Sequence, residues 1–312
     1  MIDVFRQEIV ETSLNILDIL LKDRTTKKNI CWATDNYKTK GSSYFPQEPI
    51  TIKLVTGNNQ DVIQPRVLKT LTEQSRRTKE KAEVFTPSWV CNEQNNLVDE
   101  AWFGAKDIFN TVDGISWQST KNKIQFPADK TWHDYINAKR LEITCGEAPY
   151  LVSRYDTTTG KYIQIEDRIG LLDRKLRIVN ENTEKEEDWY KWAVRAFESI
   201  YGYEYQGDNL LIARKNLLYT FIEHTRDKFS HEPTTEQLKK IAKIISWNIW
   251  QMDGLKFTVP YSNVVAVETN QQLSFFQDEV YLPQYCLIKD WQAARWNKKS
   301  IIEFRSLLKK EK

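Results

Sequence analysis

The sequence predicts an α/β protein in which a mostly parallel sheet is flanked by helices. Strand-like and helix-like stretches alternate from about residue 132 to 261, the order from which parallel sheets are built. Inside that region Leu141-Glu142-Ile143-Thr144 runs into Cys145-Gly146-Glu147-Ala148. This is a short apolar strand followed by a glycine loop, the arrangement that lets backbone approach a nucleotide. A buried strand that happens to end in glycine has the same letters, so two further islands carry weight. They are Glu83-Val84-Phe85-Thr86-Pro87 upstream and Tyr205-Gln206-Gly207-Asp208-Asn209-Leu210-Leu211 downstream.

Taken in order, Phe5, Ile9, Leu14, Leu17 and Leu21 recur at helical spacing and predict a helix over residues 2–22. Residues 30–33 and 50–55 have strand composition, separated by a Gly-Ser loop and two prolines. A polar, basic helix is expected over 67–81, where five basic side chains stand beside two acidic ones. Thr86 and Pro87 suit a helix start, with Thr86 as cap and Pro87 at the first helical position. Such a start favours a carboxylate, although an ordinary capped helix needs none. A short helix over 132–138 then precedes the central strand, 141–144. Residues 150–156 and 161–165 flank Thr157-Thr158-Thr159-Gly160 as a hairpin or turn, and 168–173 reads as another buried strand, ending in Asp173. Helices are expected over 188–199, 212–225 and 236–250. Residues 254–261 are strand-like up to Pro260, 285–288 is a strand, and 298–310 is a basic terminal helix.

Composition narrows the partners. Forty-five basic and 43 acidic residues in a chain of 312 exclude a strongly cationic protein but not a local basic groove. Residues 180–188 carry five acids and one base, the pattern of a solvated loop. Cys31, Cys91, Cys145 and Cys286 show no CxxC spacing, and His133, His224 and His231 supply no ligand spacing with them. Neither a zinc site nor a disulfide framework is therefore expected. No signal peptide opens the sequence and no apolar run reaches the roughly 18 residues needed to span a bilayer. The expected location is cytoplasmic, with no membrane partner. Eleven Trp and 14 Tyr fit either base-stacking surfaces or, more commonly, core filling.

In an open parallel sheet, ligands bind beyond the carboxyl ends of the strands. Glu142, the Cys145-Gly146 loop, Asp173 and Asp208 are all expected near such ends. Together with the Phe-Thr-Pro island, their order resembles the adenine-N6 DNA methyltransferases that serve bacterial restriction–modification systems. The resemblance covers roughly residues 75–262. It implies a Rossmann-like S-adenosylmethionine-dependent sheet with helices on both faces over 76–262, preceded by an N-terminal α+β region (1–75) and followed by a C-terminal extension (263–312). By that resemblance, Phe85 lies near the cofactor adenine and Thr86 near its methionine end, with Pro87 also among the cofactor-binding residues. Glu142, Cys145 and Gly146 form the strand and loop beneath it, Asp173 takes the ribose hydroxyls, and Asp208 takes the adenine amino group.

The sequence departs from the family at two places. Gly146-Glu147-Ala148 stands where the family reads Gly-x-Gly. The family's Asn/Asp-Pro-Pro-aromatic motif, which accepts hydrogen bonds from the target amino group and stacks on a flipped base, is matched only by Thr258-Val259-Pro260-Tyr261. Pro260 and Tyr261 are the catalytic-site candidates, with Asn248 and Asp253 as nearby substitutes for the missing acceptor. The expected function is S-adenosylmethionine-dependent adenine-N6 methylation of double-stranded DNA. The alternative is an inactive methyltransferase-like subunit that binds DNA or a restriction or specificity subunit. A magnesium nuclease would need clustered acids and a lysine, for which only Glu186-Glu187-Asp188-Trp189-Tyr190-Lys191 offers itself.

Overall fold

A computed structural model describes residues 14–81, 83–262 and 283–308 of the chain. Helix α1 (Leu14–Leu21) is the end of the expected first helix, whose residues 2–13 lie outside the described set. Ile16, Leu17, Leu20 and Leu21 are buried against the later helix Thr235–Asn248. The strands expected at 30–33 and 50–55 do not form. Cys31 makes a single bridge to Pro49, and Ile52–Leu54 is one 3-10 turn. Pro46 and Pro49 remove ladder donors from this segment. The side chain of Gln251 takes both the N–H (2.9 Å) and the carbonyl (2.8 Å) of Cys31 in place of a neighbouring strand.

Next come α2 (Leu71–Lys81), α3 (Ser88–Phe103) and an antiparallel hairpin, β1 (Asn110–Asp113) and β2 (Ser116–Ser119). Helix α4 (Trp132–Asn137) opens on a capping box between Thr131 and Asp134 and delivers the chain to β3 (Arg140–Glu142). Helices α5 (Leu171–Asn182) and α6 (Glu186–Glu198) lead to β4 (Ile200–Glu204). Helices α7 (Gly207–Phe229) and α8 (Thr235–Asn248) lead to β5 (Ile249–Gln251). Finally β6 (Leu287–Lys289) pairs antiparallel with β7 (Ile301–Glu303) around α9 (Trp291–Arg295).

The chain is thus a mixed α/β protein with small sheets. Strands β3, β4 and β5 form one parallel sheet in that spatial order, and the other two sheets are antiparallel pairs. The expected mostly parallel sheet is therefore met by three strands only. Strand β4 is buried along its whole length, as the centre of a parallel sheet requires. Helix α7 is buried along most of its length, and its Arg214 ties the sheet to α1 by donating to the carbonyls of Ile249 and Lys22 (2.7 and 3.0 Å).

Several expectations are corrected. Residues 168–173 are not a strand: Gly170 precedes α5, and Asp173 sits in that helix's first turn. Three apolar residues around Gly170 are buried whether extended or helical, and a short run does not separate the two. Asp208 is likewise in the first turn of α7, which begins five residues earlier than its periodicity suggested. Residues 254–261 contain only the bridging residue Thr258. The terminal basic helix is replaced by β7 and a 3-10 segment, Phe304–Leu308.

Gly207 locks the N-terminal region onto α7. Its N–H donates to the Trp32 carbonyl (3.2 Å), and a Cβ added there would lie 2.0 Å from the Cys31 carbonyl oxygen. Backbone cannot yield as a flexible side chain does. Gly207→Ala is therefore expected to lower the urea midpoint by an amount corresponding to about 1–3 kcal/mol; an unchanged midpoint would contradict this packing.

Candidate functional site

The carboxyl ends of β3, β4 and β5 meet at one edge of the sheet. Beyond β3 the backbone takes a positive φ at alternate residues: Thr144 (45°), Gly146 (53°) and Ala148 (66°). For a β-branched threonine this is a strained state, of the kind that persists where surrounding contacts fix it and that clusters at ligand sites. The loop is fixed from both sides. The Cys145 N–H donates to the Tyr203 carbonyl (2.8 Å), and the Gly146 N–H donates to the Glu204 carboxylate (2.8 Å). The other Glu204 oxygen takes the N–H groups of Tyr205 and Gln206, each at 3.0 Å. Glu204 thus clamps the β3 loop to the β4 loop.

Phe85 closes the loop from above. A Cβ added to Gly146 would lie 3.8 Å from the Phe85 ring, so the glycine and the ring face each other. Phe85 is itself buried, with the Arg66 guanidinium 5.3 Å from its ring centre. Pro87, not Thr86, occupies the cap position of α3, and Ser88 is the first helical residue. The carboxylate expected at that helix start is present within the chain: Asp156 accepts the Ser88 N–H at 2.7 Å. Burial opposes the Asp156 charge, but the Thr158 hydroxyl and the Ser88 and Thr159 N–H groups lower its carboxyl to about 2. Thr86 presents its carbonyl to the Thr157 hydroxyl (3.0 Å).

The acids around the loop are buried. Desolvation raises the carboxyl of Glu142 well above its usual range, against the N–H groups of Tyr150 and Leu151. Burial also raises Glu204, again opposed by backbone donors, and pushes the Cys145 thiol well up. Glu147 is buried and accepts from the Arg66 N–H and the Tyr155 hydroxyl, both at 2.7 Å.

Asp208 and Asp173 go elsewhere. Asp208 is fully buried and accepts from Tyr37 Oη (2.8 Å) and Arg77 Nη2 (2.7 Å), while the same guanidinium holds Glu83. Burial would raise the Asp208 carboxyl, but Arg77, Lys69 and the tyrosine hydroxyl hold it below its usual range. Asp173 is buried, accepts the Ser153 N–H (2.8 Å) and lies 3.7 Å from His224. One residue missed in the sequence, Glu204, ends β4. Asp253, named above as a substitute acceptor, follows β5 with its carboxylate on the Leu255 and Lys256 N–H groups. The signal for Glu204 was there: Ile200-Tyr201-Gly202-Tyr203-Glu204 repeats the pattern of an apolar run ending in an acid.

Tyr261 is exposed, has a φ of 52°, and lies within hydrogen-bonding reach of Tyr205 beside Glu204. Pro260 is buried behind it. Asn248 is at the other end of β5, spent on the carbonyls of Phe197 and Ile200 and on the Trp291 indole. Among the described residues no group of three or more His, Cys, Asp or Glu is placed to hold a metal, and no helix is long and apolar enough to cross a membrane. No family model, curated protein or solved structure matches the chain.

Proposed function

We propose that this crevice binds S-adenosylmethionine and that the chain is a DNA adenine-N6 methyltransferase-like protein of a restriction–modification system. The observation that carries the reading is the strained loop Thr144–Ala148, with Gly146 against Phe85 on one side and Glu204 on the other. Parallel strands in the order β3-β4-β5, joined through helices, have the strand order of one mononucleotide-binding half of a Rossmann-like sheet, which supports the reading. In such a half an acid beyond the second strand takes ribose hydroxyls. Glu204 holds that place here, and its carboxylate exchanges backbone N–H donors for ligand hydroxyls. Phe85 sets an apolar ring beside the loop, and Gly146 keeps the facing wall free of a side chain. The cofactor, when bound, would supply an electrophilic methyl group.

The base side is less complete. Tyr261 is placed to stack on an extruded base, in keeping with its exposure next to the crevice. The motif's acceptor position falls on Thr258, which is buried and whose carbonyl accepts the Asp253 N–H (2.8 Å). Only a threonine hydroxyl, and no amide or carboxylate, therefore stands at the position that would hold a target amino group. That observation favours the second reading, a cofactor-binding subunit without transfer chemistry that engages DNA or a restriction partner. Incubation with methyl-labelled S-adenosylmethionine and duplex DNA separates the two. Label in the DNA supports the enzyme, whereas cofactor binding without transfer supports the inactive subunit.

A further inference from the structure

We infer that the end of the sheet opposite the crevice is a nucleic-acid contact, a cationic face that takes phosphodiester backbone on Arg24, Arg195, Lys240, Lys243, Lys289 and Arg295. The choice of nucleic acid as occupant rests on the reading above; the face itself does not.

Its position follows from the topology. Lys240 and Lys243 lie in the last turns of α8, which runs directly into the start of β5. The hydroxyl of Tyr201, near the start of β4, donates to the Lys289 carbonyl (3.0 Å). Arg24 joins the group through its Nε, which donates to Ser246 of α8 (2.8 Å). At about 3.3 Å of rise per residue, β4 separates this face from Glu204 by on the order of 15 Å.

The charges here cancel only in part: Asp18 and Asp23 stand near Arg24 and Asp290 near Arg295. Arg195 and Arg295 share a single carboxylate oxygen of Glu198, at 2.8 and 2.7 Å, so two guanidinium groups face one anion. Among the described residues no carboxylate lies within 4.0 Å of the ammonium groups of Lys240, Lys243 or Lys289. Burial, then Lys243 and Lys240, lower the Lys289 ammonium below its usual range, and burial followed by Arg195 does the same to Arg295. These cations are close enough to repel one another, and the remedy is an anion with several oxygens. Phosphate suits the forked guanidinium donors as well as the lysines. Trp296, 72% exposed and next to Arg295, adds a stacking surface of the sort that accompanies nucleic-acid binding.

The test is fluorescence anisotropy with a labelled duplex of about 30 base pairs, read from about 50 to 200 mM salt. The wild-type chain should bind with log affinity falling about 0.9 per phosphate for each unit of log salt, a slope on the order of −3 to −5. Lys240→Glu, Lys243→Glu and Lys289→Glu combined should weaken binding at least tenfold and flatten the slope by about 3. Lys121→Glu with Lys123→Glu, both exposed on the hairpin side, should change little. The triple variant should still bind S-adenosylmethionine as wild type does, which separates this face from the crevice and confirms that the variant is folded. No duplex binding by the wild type, or binding the triple change leaves intact, would overturn the inference. So would polyglutamate competing as well as unlabelled duplex, which would point to an acidic protein.

Discussion

Arg77→Met is expected to destabilise the protein by about 3–5 kcal/mol, because it strands two buried carboxylates. The Arg77 guanidinium has no exposure and contacts both Glu83 (2.6 Å) and Asp208 (2.7 Å), themselves almost fully buried. Asn209 adds a bond to Glu83 (3.2 Å), and Tyr37 adds one to Asp208. Removing the guanidinium that contacts both leaves those acids to be neutralised or hydrated, and the segment that carries Phe85 loses its tie to α7. Urea unfolding measures the loss. Removing all three charges together, as Arg77→Met with Glu83→Gln and Asp208→Asn, should recover most of it, since a buried ion pair is worth little against neutral neighbours of similar size. Recovery distinguishes stranded charge from lost packing. The pH dependence has a definite sign. The folded carboxyl of Asp208 is held below its ordinary 3.8, so its contribution is complete above that value and is lost as pH falls through the lower, folded value.

Glu204→Gln is expected to leave the fold intact and to reduce S-adenosylmethionine binding by about a hundredfold, the scale of losing charge-assisted bonds worth about 1.5–3 kcal/mol each. Glutamine keeps one acceptor for the Tyr205 and Gln206 N–H groups and removes a carboxylate whose charge burial disfavours. Glu204→Ala should go further and cost on the order of 3 kcal/mol of stability, since three backbone donors at this edge lose their partner. The two variants separate a structural clamp from a ligand group: wild-type affinity in Glu204→Gln would reduce Glu204 to the former.

Much of the frame is legible in the sequence. The periodicity of Leu238, Ile241, Ile244 and Ile245 gives α8, and Leu141-Glu142 gives the strand beside the loop. Phe85 and Gly146 do come together across 61 residues of chain. The acids are where reading by spacing runs out. Asp173 follows a short apolar run, and such a run belongs as readily to the first turn of a buried helix as to a strand; Asp208, which the sequence places in a loop, opens α7 instead. Their partners, Ser153 for one and Tyr37 with Arg77 for the other, come from distant segments and leave no local pattern. Glu147 looked like a charge in the loop and instead points into the chain, because Arg66 and Tyr155 reach it from elsewhere.

The most direct measurement is calorimetric titration of the wild-type chain with S-adenosylmethionine, beside a Phe85→Ala variant whose circular dichroism shows it folded. The crevice described here predicts saturable binding in the micromolar range and its loss in the variant. A folded wild-type protein that takes up no cofactor, or a Phe85→Ala variant that binds as tightly, would contradict a cofactor site between Phe85, Gly146 and Glu204.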